Sequence, residues 1–284
     1  MLKEKVGETR LVNLRNGIFA KVEFDNPTGS IKDRMAQWII RKAFEDKVLK
    51  EGSLVIEATS GNTGISLAWL STIYKFKLII VMPKNMSLER KNIIRLYGAE
   101  IIEVGVNDFA HAVEVRNELV FKHNAFTTDQ FSNEQNILCH SQTTGREILE
   151  QVGNDEISAL VAGTGTGGTL MGIRQALIQK FPNMKTIAVE PFESAVMNGF
   201  TAGRHDIQGI GDGFIPPLVN MDLLDYAFMV KSGDAIKKAL AIRKTTGYFV
   251  GVSSGANTLA AEKYIQNYHP KGVVVTIWPD NGER

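Results

Sequence analysis

A single cysteine, Cys139, excludes an internal disulfide, and nothing in the chain compensates with a metal-binding pattern. There are five histidines, and neither Cys139 with its neighbour His140 nor any other pair has ligand spacing, so no structural metal is expected. Charge of one sign is also missing. Lys and Arg total 32 against 31 Asp and Glu, a net charge of +1, which leaves no overall field to attract nucleic acid or an anionic membrane. A small molecule is the expected ligand. Nowhere do ~18 apolar residues run together, so no membrane-spanning helix is expected. The opening MLKEKVGETRLVNL lacks the basic start and apolar run of an export signal, and the reading is a cytoplasmic protein. The string Asn85-Met86-Ser87 is then an empty match to a glycosylation acceptor. Internal repeats and low-complexity linkers are absent.

What is present is a chain of 284 residues, 44% of them hydrophobic, enough to bury a substantial core in one large domain or two smaller ones. Short β-branched runs alternate with longer stretches of helical period, the pattern of an α/β fold with a parallel sheet covered by helices. The strand candidates span residues 18–23, 54–58, 78–82, 101–104, 159–162, 186–190, 227–230 and 273–278. The clearest helix is expected from Ser30, read as an N-cap with Asp33 three residues on, with Ile31, Met35, Ile39 and Ala43 along one face. Other helices are expected near Asn62, Ser87, Asp108, His140, Gly168, Gly233 and Ala256. Residues 192–224 have little periodicity and many Gly, Pro and Asp, which marks a long loop, and long loops are often functional.

Three segments carry chemistry. The run Gly163-Thr164-Gly165-Thr166-Gly167-Gly168 satisfies G-x-G-x-x-G between a strand and a helix, and Glu190 ends the next strand about where a dinucleotide-binding fold keeps its ribose-binding acid. Physically, the run shows that bare backbone can approach an anion at a helix N-terminus, without saying whose phosphate it is. Thr59-Ser60-Gly61-Asn62-Thr63-Gly64 is a second cradle at a strand's carboxyl end, where three hydroxyls and backbone donors suit a carboxylate. The third segment, Asn26-Pro27-Thr28-Gly29-Ser30-Ile31-Lys32-Asp33-Arg34, puts a lysine in a helix's first turn. The helix dipole there disfavours an ammonium and pushes toward the neutral amine that a Schiff base requires. Taken singly, each segment also has an ordinary reading: a glycine turn, an N-cap, a surface lysine.

Taken together and in this order, the segments resemble the cysteine synthase / cystathionine β-synthase family of fold type II pyridoxal-phosphate enzymes. Further likeness in MPKNMSLERKNIIRLYGAEI, GIGDGFIP and PDNGER extends the resemblance over nearly the whole chain. It implies pyridoxal 5′-phosphate as cofactor, with Lys32 as Schiff-base lysine and Asn62 on the ring hydroxyl. Gly165, Thr166, Gly167, Gly168 and Thr169 are implied as the phosphate cup, and Ser253 as the hydroxyl facing the pyridine nitrogen. Thr59, Ser60, Gly61 and Thr63 are implied as the substrate-carboxylate loop, aided by Gln130 from the QFSN segment. The implied fold is two three-layer αβα domains with mostly parallel sheets. Residues 35–137 would form the smaller substrate-loop domain and 1–34 with 138–284 the larger cofactor-binding domain, closing over the substrate through the Thr59 loop. Family members are commonly homodimers. The implied reaction is β-elimination or β-replacement on L-cysteine or O-acetyl-L-serine through an aminoacrylate, with Lys32 taking the α-proton.

Departures from the family pattern bear on the reaction. Arg10 stands where the family's opening has proline, and Thr28 where glycine is commoner. Asp212, in Gly209-Ile210-Gly211-Asp212-Gly213-Phe214, occupies a position usually small in users of O-acetylserine, so it bears on the choice of leaving group and nucleophile. If Asp212 activates water, the enzyme would release hydrogen sulfide from L-cysteine and form L-serine. The rival from another class is a nicotinamide-dependent oxidoreductase resting on Gly163–Gly168 and Glu190, which leaves Lys32 and the Thr59 loop unexplained. A non-catalytic binding protein on the same fold would have no reason to keep Lys32, Asn62 and Ser253 together.

Overall fold

A computed structural model of the protein describes residues 5–59, 61–106 and 108–283. The chain divides into two compact units, Met1–Ile31 with Phe131–Arg284, and Lys32–Gln130.

The larger unit is built on a six-stranded sheet in the order β1-β2-β9-β6-β7-β8, whose members are Leu11–Asn13, Ile18–Val22, Val273–Trp278, Ile157–Gly163, Lys185–Pro191 and Tyr226–Val230. Only the β1–β2 pair is antiparallel. Side chains on β6 alternate between two cores. Ala159 and Val161 join Ile187, Val189, Ala256 and Ala260 on one face, and Leu160 and Ala162 join Ile148, Leu170 and Ile173 on the other. A strand buried on both faces reads as a continuous apolar run, which is why these segments stand out in the sequence. Helices α6 (Thr144–Gln151) and α7 (Gly168–Leu177) cover one face, and α9 (Val252–Tyr268) covers the other with α8 (Ser232–Thr246) packed on it. Helix α5 (Gln135–Gln142) packs on α7.

The smaller unit has a three-stranded parallel sheet, β3-β4-β5, formed by Leu54–Ala58, Lys77–Pro83 and Glu100–Val104. Helices α1 (Lys32–Glu45), α2 (Asn62–Tyr74) and α3 (Leu88–Leu96) contribute Ile40, Ile65, Leu67 and Ile94 to the core on one face. Helix α4 (Phe109–His123) places Ala112 against Ile56 and Val81 on the other. Ser87 and Asp108 cap α3 and α4, their side chains accepting from the Arg90 and His111 amides.

Several boundaries differ from the sequence reading. Helix α1 opens at Lys32 rather than after Ser30, because Ser30 pairs with Asp280 in an isolated antiparallel bridge and the Ile31 amide donates to the Pro279 carbonyl at 2.8 Å. The helix expected near His140 is two helices. Thr143 separates them at φ −120°, ψ −81°, its hydroxyl donating to the Cys139 carbonyl at 2.7 Å. Helix α9 begins four residues before Ala256, taking in Ser253, Ser254 and Gly255 despite their weak propensity. Gly255 is required there, since a Cβ would strike the Ala235 carbonyl of α8. The short strand β1 was not anticipated, and residues 192–224 hold three 3₁₀ turns but no strand or α-helix.

Candidate active site

In the smaller unit, Lys32 is the first residue of α1 and is half-buried. The Ser66 hydroxyl of α2 lies 2.6 Å from Asp33 Oδ1 and 3.0 Å from the Asn62 carbonyl oxygen. One side chain thus ties the turn that carries Lys32 to the turn that carries Asn62. Asn62 itself opens α2, after a Gly61 with no capping side chain.

The loop between β3 and α2 is held by local hydrogen bonds. The Thr59 amide donates to the Val81 carbonyl at 3.1 Å, and the Gly61 amide donates to Thr59 Oγ1 at 3.1 Å. The Arg90 side chain packs directly on the bare backbone of Gly61, where a Cβ would displace it. Ser60, the remaining hydroxyl assigned to this loop, lies outside the described residues. Gln130 is brought to the loop from 67 positions away, its Oε1 accepting from the Thr63 hydroxyl at 2.7 Å and its Nε2 donating to the Ala58 carbonyl at 3.3 Å. Three of the residues read as a carboxylate site, Thr59, Thr63 and Gln130, are therefore buried together at the carboxyl end of β3.

Below this loop sits a charged cluster that sequence reasoning missed. Glu57, on β3, is 1% exposed, and its carboxylate accepts from the Thr128 hydroxyl, from Thr127 Oγ1 at 3.2 Å and from the Asp129 and Ala58 amides at 3.0 and 3.1 Å. Arg116 Nη1 lies 3.5 Å from Glu57, and also reaches Thr127 Oγ1 at 2.9 Å and Asp129 Oδ1 at 3.2 Å. Burial pushes the Glu57 carboxyl above its ordinary range, while Arg116 and the Thr128 hydroxyl pull the other way.

In the larger unit, the glycine run forms a cup at the N-terminus of α7. Gly167 is the N-cap in the left-handed region at φ 84° and brings no side chain of its own, while the Gly168 amide donates to Thr166 Oγ1 at 3.3 Å. A Cβ on Gly165 would strike the Gly209 carbonyl, one on Gly167 the Val219 side chain, and one on Gly168 the Asn136 amide. Thr166 and Thr169 add hydroxyls, both supported from α5: Asn136 Nδ2 donates to Thr166 Oγ1 at 3.1 Å, and buried His140 bridges Thr144 Oγ1 at 2.9 Å and Thr169 Oγ1 at 3.3 Å. Backbone amides at a helix start whose N-cap is a glycine, a helix dipole and two hydroxyls suit a phosphate group. Ser253 is buried in the first turn of α9, where Gly251 leaves no room for a Cβ beside Asp280.

Asp212 lies close to this cup, its Oδ2 3.8 Å from where a Gly165 Cβ would sit. Its neighbours Gly211 and Gly213 hold φ values of 72° and 88°. The loop is fixed by the Gly211 amide donating to the Thr164 carbonyl at 3.1 Å and by His205 Nε2 at 2.9 Å from the Gly211 carbonyl oxygen. Glu190 is not a ribose ligand. It is 1% exposed, and both its oxygens are engaged, accepting from the Met197 amide at 2.9 Å, the Asn198 amide at 3.1 Å and the Asn198 side chain at 2.6 Å. The acid on which the nicotinamide reading rested instead holds the turn at Val196–Asn198. Among the described residues no group of His, Cys, Asp and Glu could hold a metal, and no helix is long and apolar enough to cross a membrane.

Comparison with known proteins agrees with this chemistry. A family model for pyridoxal-phosphate dependent enzymes matches residues 2–280. A cysteine synthase from Staphylococcus aureus is 38% identical over 98% of this chain and 93% of its own length. Among solved structures, a cysteine synthase from Entamoeba histolytica superposes with a TM-score of 0.92 at 37% identity, covering 99% of this chain and 87% of that one. A hydrogen sulfide-producing enzyme from Fusobacterium nucleatum gives a TM-score of 0.89 at 41% identity, covering 93% of this chain and 80% of that one.

Proposed function

The chain belongs to the family of pyridoxal-phosphate-dependent enzymes, of cysteine synthase type, and we propose that Lys32 is the lysine that holds the cofactor. The enzyme carries out pyridoxal-phosphate-dependent β-replacement or β-elimination on an amino acid. The bound cofactor supplies an electron sink that acidifies the amino-acid α-carbon and allows its β-substituent to leave.

The remaining roles belong to this chain's side chains. Gly165, Thr166, Gly167, Gly168 and Thr169 hold the phosphate, an assignment supported by the glycine N-cap of α7, Gly167 at φ 84°. Asn62 takes the ring hydroxyl and Ser253 the pyridine nitrogen. A neutral serine there, in place of a carboxylate, would leave that nitrogen without an anionic partner and so favour elimination over transamination. The Lys32 amine would take the α-proton at Nζ. Thr59, Ser60, Gly61, Thr63 and Gln130 hold the substrate carboxylate. The observation that carries this reading is the Thr63–Gln130 hydrogen bond, because it unites two donor-bearing segments distant in sequence at one strand end. A homodimer in the cytoplasm is the assembly and location we assign, on the family resemblance.

The substrate is L-cysteine or O-acetyl-L-serine. A second reading, hydrogen sulfide release from L-cysteine with L-serine as product, is favoured by Asp212, whose carboxylate lies beside the cup and is chemically able to serve as a base toward water. Product analysis separates the two. Sulfide plus serine from L-cysteine alone identifies the lyase, and cysteine formed from O-acetylserine plus sulfide, without serine from cysteine, identifies the synthase. Neither product from either substrate would overturn both readings.

A further inference from the structure

Glu57 touches neither substrate nor cofactor in any role assigned so far, yet apart from Arg116 of α4 the donors around its carboxylate belong to the segment leading into Gln130 or to the base of the Thr59 loop. One oxygen accepts from the Thr128 hydroxyl, Thr127 Oγ1 and the Asp129 amide, and the other from the Ala58 amide. Asp129 turns the chain at φ 44°, a left-handed conformation that aspartate adopts more readily than most non-glycine residues. Upstream, Phe126 runs beside β3, its amide donating to the Leu54 carbonyl at 3.0 Å and its carbonyl accepting from the Ile56 amide at 2.8 Å. After Phe126 that ladder stops, and the Glu57 carboxylate takes over as the partner of residues 127–129. The turn at Asp129 then delivers Gln130 to Thr63 and to the Ala58 carbonyl.

We propose that Glu57 is a positioning residue for the substrate-carboxylate site, which sets the affinity for the amino-acid substrate by fixing the turn at 127–129 that presents Gln130 to the Thr59 loop. The inference rests on the carboxylate role given to Thr63 and Gln130. A buried acid could have been held by Arg116 alone. What distinguishes this one is that four of its contacts go to hydroxyls and amides within three residues of the carboxylate-binding groups, so that loosening it moves Gln130 rather than a remote surface. Arg116 completes the cluster by bonding Thr127 and Asp129 from the other side, leaving the whole segment 127–129 fastened to β3 and α4.

The test is a double-mutant cycle in the cofactor-loaded enzyme, with sulfide release from L-cysteine and turnover of O-acetylserine with sulfide as assays. Glu57→Gln keeps the shape and removes the charge, and Thr128→Val removes one donor should Glu57→Gln fail to fold. Either variant should raise KM for the amino acid about tenfold, the size expected for loss of a charge-assisted hydrogen bond, while kcat and the cofactor's visible absorbance stay near wild type. On a Gln130→Ala background the same change should add nothing further to KM. A Glu57 or Thr128 variant that leaves KM unchanged while Gln130→Ala raises it, or whose effect is additive with Gln130→Ala, would overturn the positioning role and leave the carboxylate site standing. An unchanged KM in Gln130→Ala itself would overturn the carboxylate site and with it this inference.

Discussion

At the scale of single residues, Lys32 and Asp212 decide different questions. Lys32→Ala removes the assigned anchor and the assigned base together. Turnover should fall by at least the ~10²–10⁴-fold typical of one acid–base group, with the circular dichroism of the folded protein retained because Lys32 is only half-buried at a helix start. Wild-type turnover in that variant would remove Lys32 from the mechanism. The water-activating role proposed for Asp212 separates consuming cysteine from making it. Asp212→Asn keeps the shape and most of the loop's hydrogen bonding but lacks a base, so serine and sulfide formation from L-cysteine should drop while O-acetylserine turnover persists. Equal serine and sulfide rates in wild type and variant would leave Asp212 as a loop residue and favour the synthase. The same charge should make O-phosphoserine a poor substrate, since a carboxylate at ~5 Å repels a phosphate charge by roughly 3 kcal/mol at an effective dielectric of ~20.

At the scale of elements, the glycine cup proposed to hold the phosphate leans on helix α5, which supplies Asn136 and His140 behind Thr166 and Thr169. The approach of α5 to α7 is set by Gly172, where a Cβ would strike the Ile137 carbonyl and come within 2.7 Å of the His140 Cβ. Gly172→Ala should therefore cost ~1–3 kcal/mol of overpacking. In a unit of this size that is a drop of several degrees in the melting midpoint, at ~2–4 °C per kcal/mol, with weaker cofactor retention in the same variant. An unchanged midpoint and cofactor content would mean that α5 does not support the cup. This dependence could not be read from the sequence. The parallel strands were visible as apolar runs and α3, α4 and α7 by their caps or glycines, because those signals are local. Thr143 breaking α5 from α6, the serines inside α9 and the pairing of Ser30 with Asp280 are tertiary choices that override local propensity. Glu57 gave no signal at all, since one acid inside LVIEA looks like an ordinary interruption of a strand.

At the scale of the whole molecule, each unit carries one kind of recognition. The smaller has a lysine, an amide and a hydroxyl loop suited to an amino acid, and the larger has a glycine-capped helix terminus suited to a phosphate. A glycine run alone left the phosphate's owner open, and it was the order of the three segments, not any one of them, that pointed to pyridoxal phosphate. The nicotinamide reading failed on a physical particular, the engagement of both Glu190 oxygens by the turn at residues 196–198. The central claim, that Lys32 carries the cofactor, is tested most directly by reducing the purified, cofactor-loaded protein with borohydride and mapping the labelled peptide. The yellow colour should be discharged and the pyridoxyl group found on Lys32. Label on any other lysine, or a colour that resists reduction with Lys32 unmodified, would contradict the assignment.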